Sequence, residues 1–238
     1  MQTLRAAVAA VLDLVLPDDC AGCAAPGPAV CGPCVTPAWS APRTVQRCPA
    51  PAGLPPVVAA TPYADPVRRV LLAHKDGRTA LVGPLAVLLA HAVRAALAAT
   101  SPEPGRSAVL VPAPSDRRAV RARGHDHALR LAVQAARELR AGGVPARAVP
   151  ALHLSRRVDD QGHLSARERV ANLRGALGVR DPDRLARVAG SGVVLVVDDV
   201  CASGATLAEA ARALAAAGRP AMGAAVVAAV LRDGPRPR

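Results

Sequence analysis

The sequence predicts an α/β protein: a mostly parallel sheet flanked by helices on both faces, with a small N-terminal module rich in cysteine. Three observations predict it. Apolar runs such as "VVLVV" (193–197) lack the alternation of a half-exposed strand, as strands covered on both faces require. Longer stretches of helical period lie between such runs, and this strand–helix alternation is how a parallel sheet is built. Finally, five of the six cysteines fall within residues 18–56, a stretch rich in proline and glycine with no helical period.

Taken in order, "MQTLRAAVAAVLDLVLPDDC" places Leu4, Val8, Val11, Leu12 and Val15 on one face of an amphipathic helix. Asp13 interrupts its apolar run and no small-x-small cleavage site precedes the cysteines, so it does not read as a secretory signal. Residues 1–56 are expected to form this helix and the cysteine module, and residues 57–238 the α/β domain. From Asp65 a short helix, a turn at Asp76-Gly77 and a long helix are expected, then a strand in "GRSAVLVPAP" (105–114). "HDHALRLAVQAARELRAGG" reads as an amphipathic helix stopped by Gly142-Gly143. "RAVPALHL" reads as a second strand and "SARERVANLRGAL" as a short helix. The strand at 193–197, a helix from about Gly204 to Ala217 stopped by Gly218, and a last strand in "MGAAVVAAVL" complete the domain.

The net charge of +12 comes almost wholly from arginine, since Lys75 is the sole lysine. Such a balance suits phosphates, nucleic acid or an acidic surface without choosing among them. With no Phe, one Trp (Trp39) and one Tyr (Tyr63), the core must be aliphatic. This shortage argues against an aromatic platform for stacking nucleic-acid bases. No segment has the ~20 uninterrupted apolar residues of a membrane span. A cytoplasmic protein is expected.

Cys20, Cys23, Cys31 and Cys34 form "CAGC" and "CGPC". Two such pairs supply the four thiolates of a tetrahedral structural Zn2+ site, each short turn aiming two sulfurs at one ion. A reducing compartment disfavours two disulfides, and "CGPC" lacks the flanking strand and helix of a redox pair. Cys48 and Cys201 are left over.

In "VVLVVDDVCASGATL" (193–207) the apolar strand runs into Asp198 and Asp199, then into small residues, two hydroxyls and a glycine. In an open α/β sheet ligands bind at the carboxyl ends of strands. There "CASGAT" offers backbone N–H groups, Ser203, Thr206 and a helix N-terminus, a cradle for a phosphate monoester. Carboxylates cannot also bind phosphate, so they must face hydroxyls or a divalent metal. Phosphate on one side and diol acceptors on the other describe a phosphorylated pentose. Neither Gly-Lys-Ser/Thr nor GxGxxG is present to support a nucleotide loop.

These residues resemble the 5-phosphoribosyl 1-pyrophosphate (PRPP) motif of type I phosphoribosyltransferases. "VPAPSDRRAVRARGHDHALRLA" (111–132), "SRRVDDQGHLSARERVANLRGAL" (155–177), "LLAHKDG" and the four-cysteine layout are similar to the ComF family. The resemblance implies a PRPP site at Asp198, Asp199, Cys201, Ala202, Ser203, Gly204, Ala205 and Thr206, with Mg2+ accompanying PRPP. It also implies an association with DNA uptake in competence, in which DNA would be met through its phosphates. The family's RGFNQ is replaced here by "RGHDH", which changes the corner at His125, Asp126 and His127.

Such a site must hold pyrophosphate, and Arg117, Arg118, Arg121 and Arg123 follow a strand end where they could do so, Arg123 being preferred as catalytic. The polar segment 156–175 resembles a mobile hood, in which Arg156, Gln161, Arg169 and Asn172 could close over substrate. Asn172 and Arg174 could equally only terminate the short helix. Lys75 reads as a charge at a helix end, with substrate contact as the alternative. His125, His127, His153 and His163 read as surface or satisfied core histidines.

Overall fold

The computed structural model describes residues 19–36, 41–46, 50–100, 105–115, 120, 124, 126–156 and 166–231. Its elements in order are α1 (Gly32–Val35), β1 (Arg43–Val45), β2 (Val57–Pro62), α2 (Val67–Lys75), α3 (Val82–Thr100), β3 (Ala108–Pro112), α4 (His127–Ala141), β4 (Ala146–Ala148), β5 (Leu152–Leu154), α5 (Ala166–Leu173), β6 (Leu177–Val179), α6 (Pro182–Ala189), β7 (Val193–Cys201), α7 (Ala205–Ala216) and β8 (Gly223–Ala229). Six strands form one sheet in the order β1-β2-β8-β7-β3-β4. All its pairings are parallel except that of β1 with β2.

The sheet divides an aliphatic core in two, as the period of two along a strand dictates. Val193, Leu195 and Val197 face α2, α3 and α4 and join Leu71, Leu85, Leu89 and Leu131. Val194 and Val196 face the other way, toward α6 and α7, with Leu185, Leu207 and Leu214. Helix α3 is apolar enough to cross a membrane by length and composition. Here it is a core helix, with Leu85, Leu89, Ala92 and Val93 fully buried.

Several details differ from the expectations. "RAVPALHL" is two strands, β4 in the main sheet and β5 in a separate antiparallel pair with β6. Pro150 lies between them; it has no N–H to continue a ladder, and the chain turns away there. The segments 57–62 and 182–189 carried no expected element, yet form β2 and α6. Asp181 accepts from Arg184 N–H and Pro182 opens the helix, a start signal that was legible. The strand expected at 193–197 runs on to Cys201, so both aspartates lie within it. Arg43–Val45, N-terminal to the expected domain boundary, pairs with β2 as an edge strand of the sheet.

Candidate functional site

Strand β7 outruns its neighbour on one side. Its pairing with β3 ends at Val197 opposite Pro112, whereas its pairing with β8 continues to Cys201. Asp198 and Asp199 therefore sit beyond the end of the β3 pairing, at the carboxyl ends of the strands, the usual ligand position in this architecture.

The two acids have different surroundings. Asp199 is 3 % exposed. Its Oδ2 lies 2.8 Å from Lys75 Nζ at the end of α2 and 3.9 Å from His127 Nε2 at the start of α4. Burial alone would raise its pKa, but the adjacent ammonium outweighs it and holds the carboxyl below the usual range. Burial likewise opposes the charge on Lys75, and the attraction of Asp199 reverses that too, keeping its pKa above an ordinary lysine's. Asp198 is half-buried, and its Oδ1 accepts the N–H of Asp199 at 2.8 Å. Desolvation, then repulsion by Asp199, push its pKa up to about 8. One carboxyl is thus committed to a cation, and the other accepts from the backbone and stays half-buried.

After Cys201 the chain turns through "ASG" into α7. Gly204 has φ +81°, and a Cβ there would stand 3.0 Å from Leu54 Cδ2, so both conformation and space require glycine. Ser203 Oγ accepts the Ala205 N–H at 3.3 Å. Ala202 is exposed, Ser203 and Thr206 are half-buried, and the first N–H groups of α7 have no partners within the helix. The Cys201 side chain is 1 % exposed in the core on the α7 face, and its carbonyl accepts from Val230 N–H. Cys201 can therefore hardly reach a ligand through its sulfur.

The His-Asp-His corner separates into distinct roles. Asp126 is the N-cap of α4: its Oδ1 accepts from Leu129 N–H at 3.1 Å and from Ser115 Oγ at 2.9 Å. His127, read from sequence as an ordinary histidine, is buried beside Asp199 and stacks edge-on against the buried His74, ring centroids 6.3 Å apart. His153 lies in the small sheet opposite Gly178. Lys75, expected chiefly as a surface charge, is at the centre of the site. The signal that it belonged there was its uniqueness among thirty basic residues, and the contact itself depends on the tertiary fold.

The Arg156 guanidinium donates to the carbonyls of Asn172 and Arg174 at 2.7 and 3.0 Å, closing the end of α5. These three residues are thus joined in a helix terminus. Arg117, Arg118, Arg121, Arg123, His125, Gln161, His163 and Cys48 lie outside the described residues, as does the side chain of Arg169. A cleft of about 520 Å3 opens at the end of β3, lined by Ser115, Asp126, His153, Arg180 and Arg184 among others.

The four cysteine sulfurs lie within 4.8 Å of one another and could hold a metal ion. Cys20 and Cys31 Sγ are 3.6 Å apart, and Cys23 and Cys31 Sγ 3.8 Å. A thiolate tetrahedron with metal–sulfur bonds of ~2.3 Å has edges of roughly 3.8 Å. Burial opposes a thiolate at Cys20, but N–H groups aimed at its sulfur, from Gly22 at 3.4 Å and Cys31 at 3.3 Å among them, overcome it and bring its pKa to about 6. A Cβ on Gly22 would meet Cys34 Sγ at 2.6 Å, so glycine is required. The module rests on α2, where the Arg69 guanidinium donates to the Gly22 carbonyl at 3.5 Å, and on the turn that follows, where Arg78 donates to the Asp19 carbonyl at 2.9 Å.

Comparison with known families agrees with this geometry. Residues 125–238 match the phosphoribosyl transferase domain. The matched region holds β7, its two aspartates, the turn at Gly204 and helix α7. No curated protein matches the chain. The chain is therefore an α/β protein carrying a phosphoribosyl transferase domain and a four-cysteine cluster.

Proposed function

We infer that the protein binds PRPP with Mg2+ and transfers its phosphoribosyl group to a nucleophilic acceptor, which the residues do not name. The observation that carries this reading is the half-buried carboxylate of Asp198, not committed to Lys75, directly before the glycine turn into α7. The cradle at 202–206 would take the 5-phosphate through backbone N–H groups and the hydroxyls of Ser203 and Thr206. Asp198 would accept from the ribose diol.

In the reaction the acceptor forms a bond to ribose C1 while the C1–oxygen bond to diphosphate breaks, and the electron pair leaves with that oxygen. Mg2+ would arrive with the substrate and supply positive charge that stabilises the departing diphosphate. The chain's part is to hold the ring, place anionic carboxylates beside a ribose that becomes cationic, and keep water out. The cleft at the end of β3 would admit the acceptor. The thiolate set fits structural Zn2+, which would fix the N-terminal module. This module, joined to a phosphoribosyl transferase domain, is the layout that resembles the ComF family.

Calorimetric titration of PRPP with Mg2+ into wild type and Asp198→Asn tests the reading. Binding that the variant loses is expected. A folded, metal-loaded wild type that binds no PRPP overturns it, leaving a protein that meets phosphates, such as those of DNA, on a transferase fold.

A further inference from the structure

We propose that Lys75 is the cation that recognises the diphosphate of the bound phosphoribosyl donor, and that Asp199 is the positioning residue that aims it. The proposal rests on the PRPP reading above and deepens it.

The placement follows from the two faces of the sheet. Helix α7, whose first turn forms the 5-phosphate cradle, packs on one face through Leu207, Ala210 and Leu214. Helix α2 packs on the opposite face through Val67, Val70 and Leu71. Lys75 ends that helix and meets Asp199 on the same face of the sheet. The 5-phosphate cradle and the ammonium therefore flank the two aspartates from opposite sides. In the donor, the 5-phosphate and the diphosphate likewise flank the ribose, attached at its two ends. A ribose held at Asp198 with its 5-phosphate over α7 directs its C1 substituent toward the α2 side.

Lys75 also has the properties of a ligand cation. Its side chain remains a third exposed although its partner is 5 % exposed, so it can meet solvent and a ligand together. A lysine paired only for stability on a surface would contribute little. Asp199 is too enclosed to receive a diol itself, with Lys75 on one side and His127 on another. Its accessible function is to hold the ammonium in place before the ligand arrives, which lowers the ordering cost of binding. The two adjacent acids thus divide the work: Asp198 meets the sugar, and Asp199 presents a cation to the leaving group.

The experiment compares two ligands that differ only in the diphosphate. Dissociation constants for PRPP and ribose 5-phosphate, each with Mg2+, are measured on the full-length, metal-loaded chain for wild type, Lys75→Gln and Lys75→Arg. Lys75→Gln should weaken PRPP about tenfold to a hundredfold, the range of a charge-assisted contact, and leave ribose 5-phosphate within about threefold. Lys75→Arg should keep most of the preference for PRPP. An equal loss of both ligands, or no loss of either, overturns the proposal, because a lysine that only supports Asp199 cannot discriminate between them. Lys75→Arg also covers a Lys75→Gln chain that melts: a folded Arg variant without preference for PRPP overturns it equally. If wild type binds ribose 5-phosphate but Lys75 has no effect, this inference fails alone. If wild type binds neither ligand, the PRPP reading fails first.

Discussion

In the cysteine corner, four sulfurs within 4.8 Å of each other come from one short stretch, Cys20 to Cys34. At the strand-end site, Lys75, His127 and Asp199 arrive from three segments far apart in the chain and meet only because α2, α4 and β7 share a face of the sheet. The first site is local and can be lost locally. The second is a property of the whole sheet. Yet they are joined, since the helix carrying Lys75 is also one on which the cysteine module rests, through Arg69 and the Gly22 carbonyl.

The largest effect should come from breaking the local site. Cys20→Ser removes a buried ligand and should abolish stoichiometric zinc, read by metal analysis of the purified chain, and melt the module. The α/β body should keep its cooperative unfolding. Loss of the body's folding as well would show that the module is integral to the core.

Next in size is Asp198→Asn. It should weaken PRPP by about a hundredfold or more, the loss of hydrogen bonds from two hydroxyls to a charged acceptor. Its effect on stability should have the opposite sign. A carboxyl whose folded pKa is raised to about 8 stabilises the fold fully below its unfolded pKa, and that contribution is lost as pH rises through 8. Ligand-free Asp198→Asn should therefore melt higher than wild type at pH 9, with the difference vanishing near pH 4. A melting curve that shows no such pH dependence would mean that the two acids do not repel each other as the geometry implies.

A smaller effect is expected where α7 grips the small sheet. Glu209, 5 % exposed, accepts from Leu177 N–H at 3.1 Å, while Arg212 donates to the Leu177 carbonyl at 2.9 Å and pairs with Glu209 at 2.7 Å. Both backbone groups of one β6 residue are thereby held by the helix that begins at the phosphate cradle. Glu209→Ala leaves a buried N–H unsatisfied and should cost about 1–3 kcal/mol in chemical denaturation. Unlike a change at Asp198, it should shift stability more than PRPP affinity.

The contrast between local and assembled sites also explains what could be read from the sequence. The strand–helix alternation, the doubled CxxC and the acid pair before a glycine turn are each contained within a few residues, and each reports its own physics. The break at Pro150 and the start signal at Asp181-Pro182 were equally local and were overlooked. The pairing of Lys75 with Asp199 and the burial of His74 and His127 depend on which helix covers which strand. No period or spacing in the chain encodes that. The difference between Asp198 and Asp199 was only half legible: neighbours along a strand, they point to opposite faces, but that Lys75 and His127 meet Asp199 on its face is set by the fold.

The smallest predicted effect concerns Asp126, where a structural and a functional role can be told apart. Its carboxylate caps α4 and accepts from Ser115, which ties the start of that helix to the end of β3. Asn is as good an N-cap as Asp, whereas Ala removes the acceptor. Asp126→Ala should lower stability by about 1 kcal/mol, read from the urea midpoint, and Asp126→Asn by only a few tenths. Because α4 also positions His127 beside Asp199, the Ala variant should weaken PRPP slightly, in proportion to the fraying of that first turn. A large loss of PRPP binding in Asp126→Asn, with stability unchanged, would place the carboxylate itself in the site, and the corner would then belong with Asp198 as a ligand contact.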